Sequence, residues 1–295
     1  MVATRLKYNL DQGIHYLDLA RDLSEYHRKL HRQKFIYTVY GGFMRNNAST
    51  SAKFNVAPLT WQSKAAVNRG FKLWRKMISQ TLQLKDGLRS GKWNDFKIRL
   101  TPVITGQASA VDQYGSRMSP GEWDYSTLSQ PRLIDPDGDG GLEYDADMDQ
   151  YDLHIVGPNS GIVGNRTTVG LIQSWYDSRP VIDNSGTPTN VPNPLDELSN
   201  LFSVEDQDEE KVTIIQSEGD LPPYGINAPY GMLGPATTAY ALAPVSIADN
   251  GASPSITPVG NAIHGFQALC GLVQVVVSED NTEIFIDVES QGESF

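Results

Sequence analysis

TEIFIDVE (282–289) sets Ile284, Ile286 and Val288 against Glu283, Phe285, Asp287 and Glu289, the period-two alternation of a strand with one dry and one mostly wet face. Just before it, ALCGLVQVVV (268–277) is an apolar run rich in β-branched residues, and Ser278-Glu279-Asp280-Asn281 between the two has the composition of a hairpin loop. Similar short segments lie upstream: QKFIYTVYGGFMR (33–45), DFKIRLTP (95–102), YDLHIVG (151–157), TTVGLIQSWY (167–176), KVTIIQ (211–216) and TAYALAPVSI (238–247). In the first of these, Gly41-Gly42 marks a bulge or bend. Roughly eight strands, with no βαβ alternation and no internal repeat, predict a mainly-β jelly-roll sandwich. Its long connections, 103–130, 179–194 and 218–237, are rich in Pro, Gly, Ser and Asn.

Two amphipathic helices are expected before most of these strands. Residues 10–32 place Leu10, Ile14, Leu17, Ala20, Leu23, Tyr26 and Leu30 three or four apart, with charged residues between them. A second helix is expected after Pro58, with Thr60 as N-cap, running to about Leu84. Its apolar stripe is Val67, Phe71, Trp74, Ile78 and Leu82. Its other face carries Lys64, Arg69, Lys72, Arg75 and Lys76, and no acid occurs from Trp61 to Lys85. Like charges one turn apart destabilise a helix, so an unmixed basic face calls for a reason. PLDELSNLF (194–202) suits a further short helix.

The chain has 295 residues and a formal net charge of −11, but the charge is segregated. Residues 1–100 carry 19 Lys/Arg and 6 Asp/Glu, whereas the rest carry 5 Lys/Arg and 29 Asp/Glu. One surface is thereby suited to polyanions and another repels them. The organisation expected is a single domain over 1–295, with a basic helical segment (1–93) and an acidic β-rich segment (94–295) continuing the same sandwich. No run of about 18 apolar residues is present, so no membrane is expected as a partner. The start of the chain lacks a basic-then-apolar signal layout, which argues against secretion. Cys270 is the only cysteine, which excludes an internal disulfide framework.

Catalytic chemistry has little to stand on. There is no GxSxG elbow, GPNSGIVGNR (157–166) lacks the Gly-Lys of a phosphate loop, and Cys270 falls inside an apolar strand. His27 and His31 lie one turn apart, but Arg28, Lys29 and Arg32 around them disfavour a divalent ion. The strongest local motif is DPDGDGGLEYDAD (135–147), where Asp135, Asp137, Asp139 and Gly140 match the first half of a calcium loop. The second half departs from it, with Ala146 where a bidentate Glu is expected. Those three aspartates are the candidate Ca2+ ligands, against a plain solvated turn.

Lys and Arg neutralise phosphates, and rings between them stack on unpaired bases. The candidate nucleic-acid contacts are therefore Arg28, Lys29, Arg32 and Lys34, which run into Phe35 and Tyr37, together with Lys64, Arg69, Lys72, Arg75 and Lys76. Trp61, Phe71 and Trp74 share the second helix but fall on its apolar stripe, which assigns them to the core.

PLTWQSKAAVNRGFKLWRKM (58–77), followed by GEWDYSTLSQP (121–131), YDLHIVGP (151–158), VGLIQSWYDSRP (169–180) and PLDELSNLF (194–202), resembles the coat proteins of small circular single-stranded DNA viruses found in environmental surveys. The resemblance covers residues 30–230. It implies a jelly-roll subunit that assembles with copies of itself into an icosahedral shell around a single-stranded DNA genome, located in the virion and made in the host cell, with a host receptor as a further partner. Many such proteins carry an Arg-rich N-terminal arm; here the chain begins with mixed charge, which moves the expected genome contact onto the helices. The rival expectation is a calcium-dependent β-sandwich binding module for a glycan or cell surface.

Overall fold

Strict alternation organises the first element as it does TEIFIDVE. In β1 (Ala3–Leu10), Thr4, Leu6, Tyr8 and Leu10 are buried while Ala3, Arg5 and Asn9 are exposed. The computed structural model describes residues 3–46, 49–84, 91–102, 107–111, 122–134, 143–162, 165–177, 242–250, 259–289 and 293–294. The elements that follow are β2 (Gly13–Asp18), α1 (Leu19–His27), β3 (Phe35–Asn46), β4 (Thr50–Val56), α2 (Trp61–Leu84), β5 (Gln107–Ala108), β6 (Thr127–Ile134), β7 (Glu143–His154), β8 (Ser160–Ile162) and β9 (Asn165–Gly170). Next come α3 (Leu171–Asp177), β10 (Ala243–Asn250), β11 (Val259–Leu269), β12 (Leu272–Val277), β13 (Thr282–Glu289) and β14 (Glu293–Ser294). The protein is mainly β. Among the described residues, no helix is long and apolar enough to cross a membrane.

Two sheets form a β sandwich. One has the order β1-β13-β3-β11, with β14 also on β3; the other has the order β10-β4-β12-β2-β5. Consecutive strands cross between them: β1, β3, β11 and β13 lie in the first, β2, β4, β10 and β12 in the second. All pairings among these eight strands are antiparallel. The inward positions of both sheets supply one core, including Leu6, Tyr8, Val39, Met44, Phe54, Val275, Ile284 and Ile286. Each such side chain contributes about 1.5–3 kcal/mol by leaving water. A third sheet, β6-β7-β9-β8, stands apart in sequence between β4 and β10. Val56 at the end of β4 sits opposite Ala243 at the start of β10, so residues 57–242 leave and rejoin the sandwich at one point of one ladder.

A second core carries α2. Ala66, Val67 and Trp74 pack with Phe96, Ile98, Leu100, Leu153, Ile155, Leu171 and Ile172. The stretch 95–102, expected as a strand, runs extended and is tied to its neighbour by Arg99 N–H to Leu153 O (3.1 Å) and Ile155 N–H to Arg99 O (2.9 Å), with a single bridge to His154. Phe96, Ile98 and Leu100 are buried, and Lys97 between them is only 7% exposed.

Several expectations are corrected. Residues 10–32 do not form one helix: Leu10 ends β1, residues 13–18 pair with β12 from Gly13↔Val277 to Asp18↔Leu272, and helix is confined to Leu19–His27. The ladder bonds offered by β12 override the helical spacing, and Ile14, assigned to the buried stripe, is 51% exposed. The expected strand 268–277 is broken by a turn, closed by Gly271 N–H to Ala268 O (3.2 Å), in which Cys270 (φ 59°) and Gly271 (φ 71°) both take the left-handed region as the chain passes from one sheet to the other. Residues 167–170 belong to β9, but 171–176 turn into α3. The Gly41-Gly42 expectation meets a register shift between Asp287 and Val288, opposite Gly41 and Val39. A Cβ on Gly42 would stand 2.0 Å from Phe285 O, so only glycine fits the close approach of β3 to β13.

The chain divides into two units, Met1–Tyr176 with Pro229–Phe295, and Asp177–Ala228; all of the second except Asp177 lies outside the described residues. The expected helix at 194–202 and strand at 211–216 fall there. Asp135, Asp137 and Asp139 also lie outside the described residues, in the connection between β6 and β7, whose ends Ile134 and Glu143 are paired.

Candidate nucleic-acid interface

The nine predicted basic contacts fall into two groups. The first follows α1. Asp18 caps this helix, its Oδ1 accepting from Arg21 N–H (3.1 Å), and the helix stops at Arg28, which takes the left-handed conformation (φ 54°). Arg28, Lys29, Arg32 and Lys34 therefore lie in the connection from α1 to β3 and not on a helical face, a second correction with the same cause as the shortened helix. Arg28 and Lys29 are exposed and, among the described residues, form no salt bridge. Arg32 is tied to Asp95 (3.0 Å), which spends part of its charge. The Lys34 ammonium lies over two rings, 5.3 Å from Phe35 and 5.4 Å from Phe71 of α2.

The second group lies on α2. Thr60 Oγ1 accepts from Ser63 N–H (3.2 Å), capping the helix start. Arg69, Lys72, Arg75 and Lys76 are exposed and Lys64 is half-buried. Lys72, Arg75 and Lys76 form no salt bridge among the described residues, and with Asn68, Phe71, Ser79 and Gln80 they line an open groove of about 480 Å³. Phe71 and Trp74 follow the apolar stripe, whereas Trp61, assigned to the core with them, does not: Trp74 is buried and packs on Phe96 (5.9 Å), which also meets Phe71 edge-on (5.8 Å). Trp61 is 48% exposed and meets Trp175 edge-on at 5.2 Å.

Between the first group and the apolar side of α2 lies the segment 91–97, whose cations and ring were not among the predicted contacts. Lys97 lines both a hollow reaching Arg28 and Lys29 (about 260 Å³) and one reaching Trp74, Met77 and Ile78 of α2 (about 570 Å³). The only signal in the sequence was the Lys92-Trp93 pair, an aromatic beside a cation in an otherwise polar stretch. The floor under this segment is rigid. Trp123 Nε1 donates to Asp18 Oδ2 (2.9 Å), which also accepts from Gln33 Nε2 (2.7 Å), and the Lys97 ammonium rests 4.7 Å from the Trp123 ring centre. Burial, opposed by Arg21, pushes the Asp18 carboxyl up to about 6. Beside it, buried Asp22 pairs with Arg21 (3.1 Å) and accepts from Tyr8 Oη (2.6 Å), so the core charges are paired and hydrogen-bonded.

Cys270 is fully buried, and burial holds its thiol well above the usual range, the state of an inert packed thiol. The His27 and His31 rings are within 3.0 Å of one another (Nδ1 to Nε2), and His27 Nε2 meets Thr4 Oγ1 at 3.0 Å. Burial, with the charges of His27 and Lys29, pushes His31 down to about 4. Among the described residues, no group of three or more His, Cys, Asp or Glu is arranged to hold a metal ion. Set against known proteins, the chain matches no protein-family model, no curated protein and no solved structure.

Proposed function

We propose that this protein is a viral coat subunit that assembles with copies of itself into an icosahedral shell and packages single-stranded DNA against its basic surface. The observation that carries the proposal is the strand order. Eight antiparallel strands in the orders β1-β13-β3-β11 and β10-β4-β12-β2, with successive strands passing from sheet to sheet, support a jelly roll, the architecture of many capsid subunits. Fold alone is an analogy, and the charge distribution supplies the physical support. The first hundred residues hold 19 of the 24 basic groups. Of these, Arg28, Lys29, Lys72, Arg75 and Lys76 have no acidic partner among the described residues, which favours a polyanion there.

In this reading the acidic loops face outward or lie at subunit junctions. The test is size-exclusion chromatography with light scattering on the full chain, with 260/280 nm absorbance and negative-stain imaging of the large fraction. Uniform particles carrying nucleic acid are expected. A monomer free of nucleic acid, unchanged by added single-stranded DNA across salt and calcium concentrations, would overturn the proposal.

A further inference from the structure

Trp93 is exposed where large rings usually are not. It is 56% exposed, on a turn closed by Asn94 N–H to Gly91 O (3.1 Å), and the Lys92 ammonium lies 5.1 Å from its ring centre. The same indole borders both hollows beside Lys97, and so does Glu122. The larger hollow, about 570 Å³, is within the range of small-molecule sites, about 300–1,000 Å³.

We infer that Trp93 is a stacking platform for one unpaired base of single-stranded nucleic acid, with the base in the larger hollow and its phosphates on the rim at Arg28, Lys29 and Lys92. The inference rests on the nucleic-acid reading above and adds to it the seat of a base. Three observations orient the ligand. Glu122 and Asp124 line the larger hollow together with Lys92 and Lys97, so its formal charges balance and it suits an uncharged base better than a phosphate. Lys92, on the larger hollow, and the Arg28-Lys29 pair, on the smaller hollow that Trp93 also borders, form no salt bridge among the described residues and offer cations on either side of the indole. The wall is held in place: Lys97 N–H donates to Ser126 Oγ (3.0 Å), Ser126 N–H donates to Lys97 O (2.7 Å), and Trp123 is fixed by Asp18. A flat, exposed π face beside rigid walls suits base stacking, which is tolerant of sequence.

The test measures binding of the full chain to single-stranded DNA oligonucleotides by fluorescence anisotropy over a salt series. Wild type is compared with Trp93→Ala and Trp93→Phe, and circular dichroism checks folding. Trp93→Ala is expected to bind about tenfold more weakly or worse, with the salt slope unchanged because no phosphate contact is lost, and Trp93→Phe is expected to recover most of the affinity. Wild-type binding with Trp93→Ala indistinguishable from it overturns the base seat and leaves the basic interface standing. No binding by wild type at any salt overturns both. Should Trp93→Ala fail to fold, ultraviolet crosslinking of wild type decides: an adduct mapped by mass spectrometry to the Trp93 peptide supports the seat, and adducts only elsewhere overturn it.

Discussion

Removing Lys72, Arg75 and Lys76 together, each replaced by Ala, isolates the contribution of α2 to polyanion binding. These cations are exposed, lie on one groove and form no salt bridge among the described residues, so each is free to neutralise a phosphate. For single strands, log K falls against log[salt] by about 0.7 per neutralised phosphate, so losing three contacts lowers the slope by about 2. Between 50 and 200 mM salt, wild type should therefore lose about 20-fold more affinity than the triple variant. The assay is anisotropy of a labelled oligonucleotide across the salt series. The control is the double variant Arg5→Ala, Lys7→Ala, which removes positive charge from β1. There Arg5 pairs with Asp287 and Lys7 with Glu283, both at 2.7 Å, so its slope should stay at the wild-type value. Equal loss of slope in both variants would refute the reasoning, because binding would then depend on total charge and not on where the unpaired cations lie.

Three further outcomes bear on the sandwich and its core. Gly42→Ala puts a Cβ into Phe285 O and should destabilise the chain by about 1–3 kcal/mol in urea denaturation, since backbone on both sides must shift. Tyr8→Phe leaves buried Asp22 without one of its donors and should cost about 1–3 kcal/mol by the same measurement. Burial pushes His154 from 6.5 down to about 4, so its neutral form contributes stability that is complete above pH 6.5 and is lost as pH falls through 4. His154→Gln should then abolish about 3 kcal/mol of the stability difference between pH 7 and pH 4, read from urea midpoints at a series of pH values.

What was legible in the sequence follows from how local each signal is. β13 is paired on both sides, by β1 and β3, yet its own alternation is complete, so its face can be read without knowing either partner. The capped start of α2 and its long acid-free face are likewise local. Residues 10–18 fail for the opposite reason: their hydrogen bonds come from β12 and β13, at the far end of the chain, and the helical spacing of Leu10, Ile14 and Leu17 is incidental to that pairing. Ile14 then faces solvent, where a helix would have buried it. The concentration of basic residues at the candidate interface could be counted from the sequence, because charge needs no register to be counted. Its geometry was not legible: that Arg32 is tied to Asp95, or that Trp93 sits between α1's basic turn and α2, depends on contacts between segments far apart in sequence.

The meeting of Val56 and Ala243 on a single ladder makes residues 57–242 a cassette. The eight strands of the sandwich occupy 3–56 and 243–289, and among them only β2 takes a neighbour from the cassette, the two-residue β5 (Tyr16↔Gln107, Leu17↔Ala108). The interval is tied to the frame by packing instead: Phe96, Ile98, Leu153 and Leu171 share a core with Ile36, Leu269 and Leu272, and Trp123 Nε1 donates to Asp18 Oδ2 (2.9 Å). α2, the turn bearing Trp93 and the aspartate-rich loop all lie within it, whereas Arg28, Lys29, Arg32 and Lys34 belong to the frame. Changes of length confined to the cassette's loops leave the strand order of the frame untouched, whereas changes to its core residues reach the frame through those shared contacts.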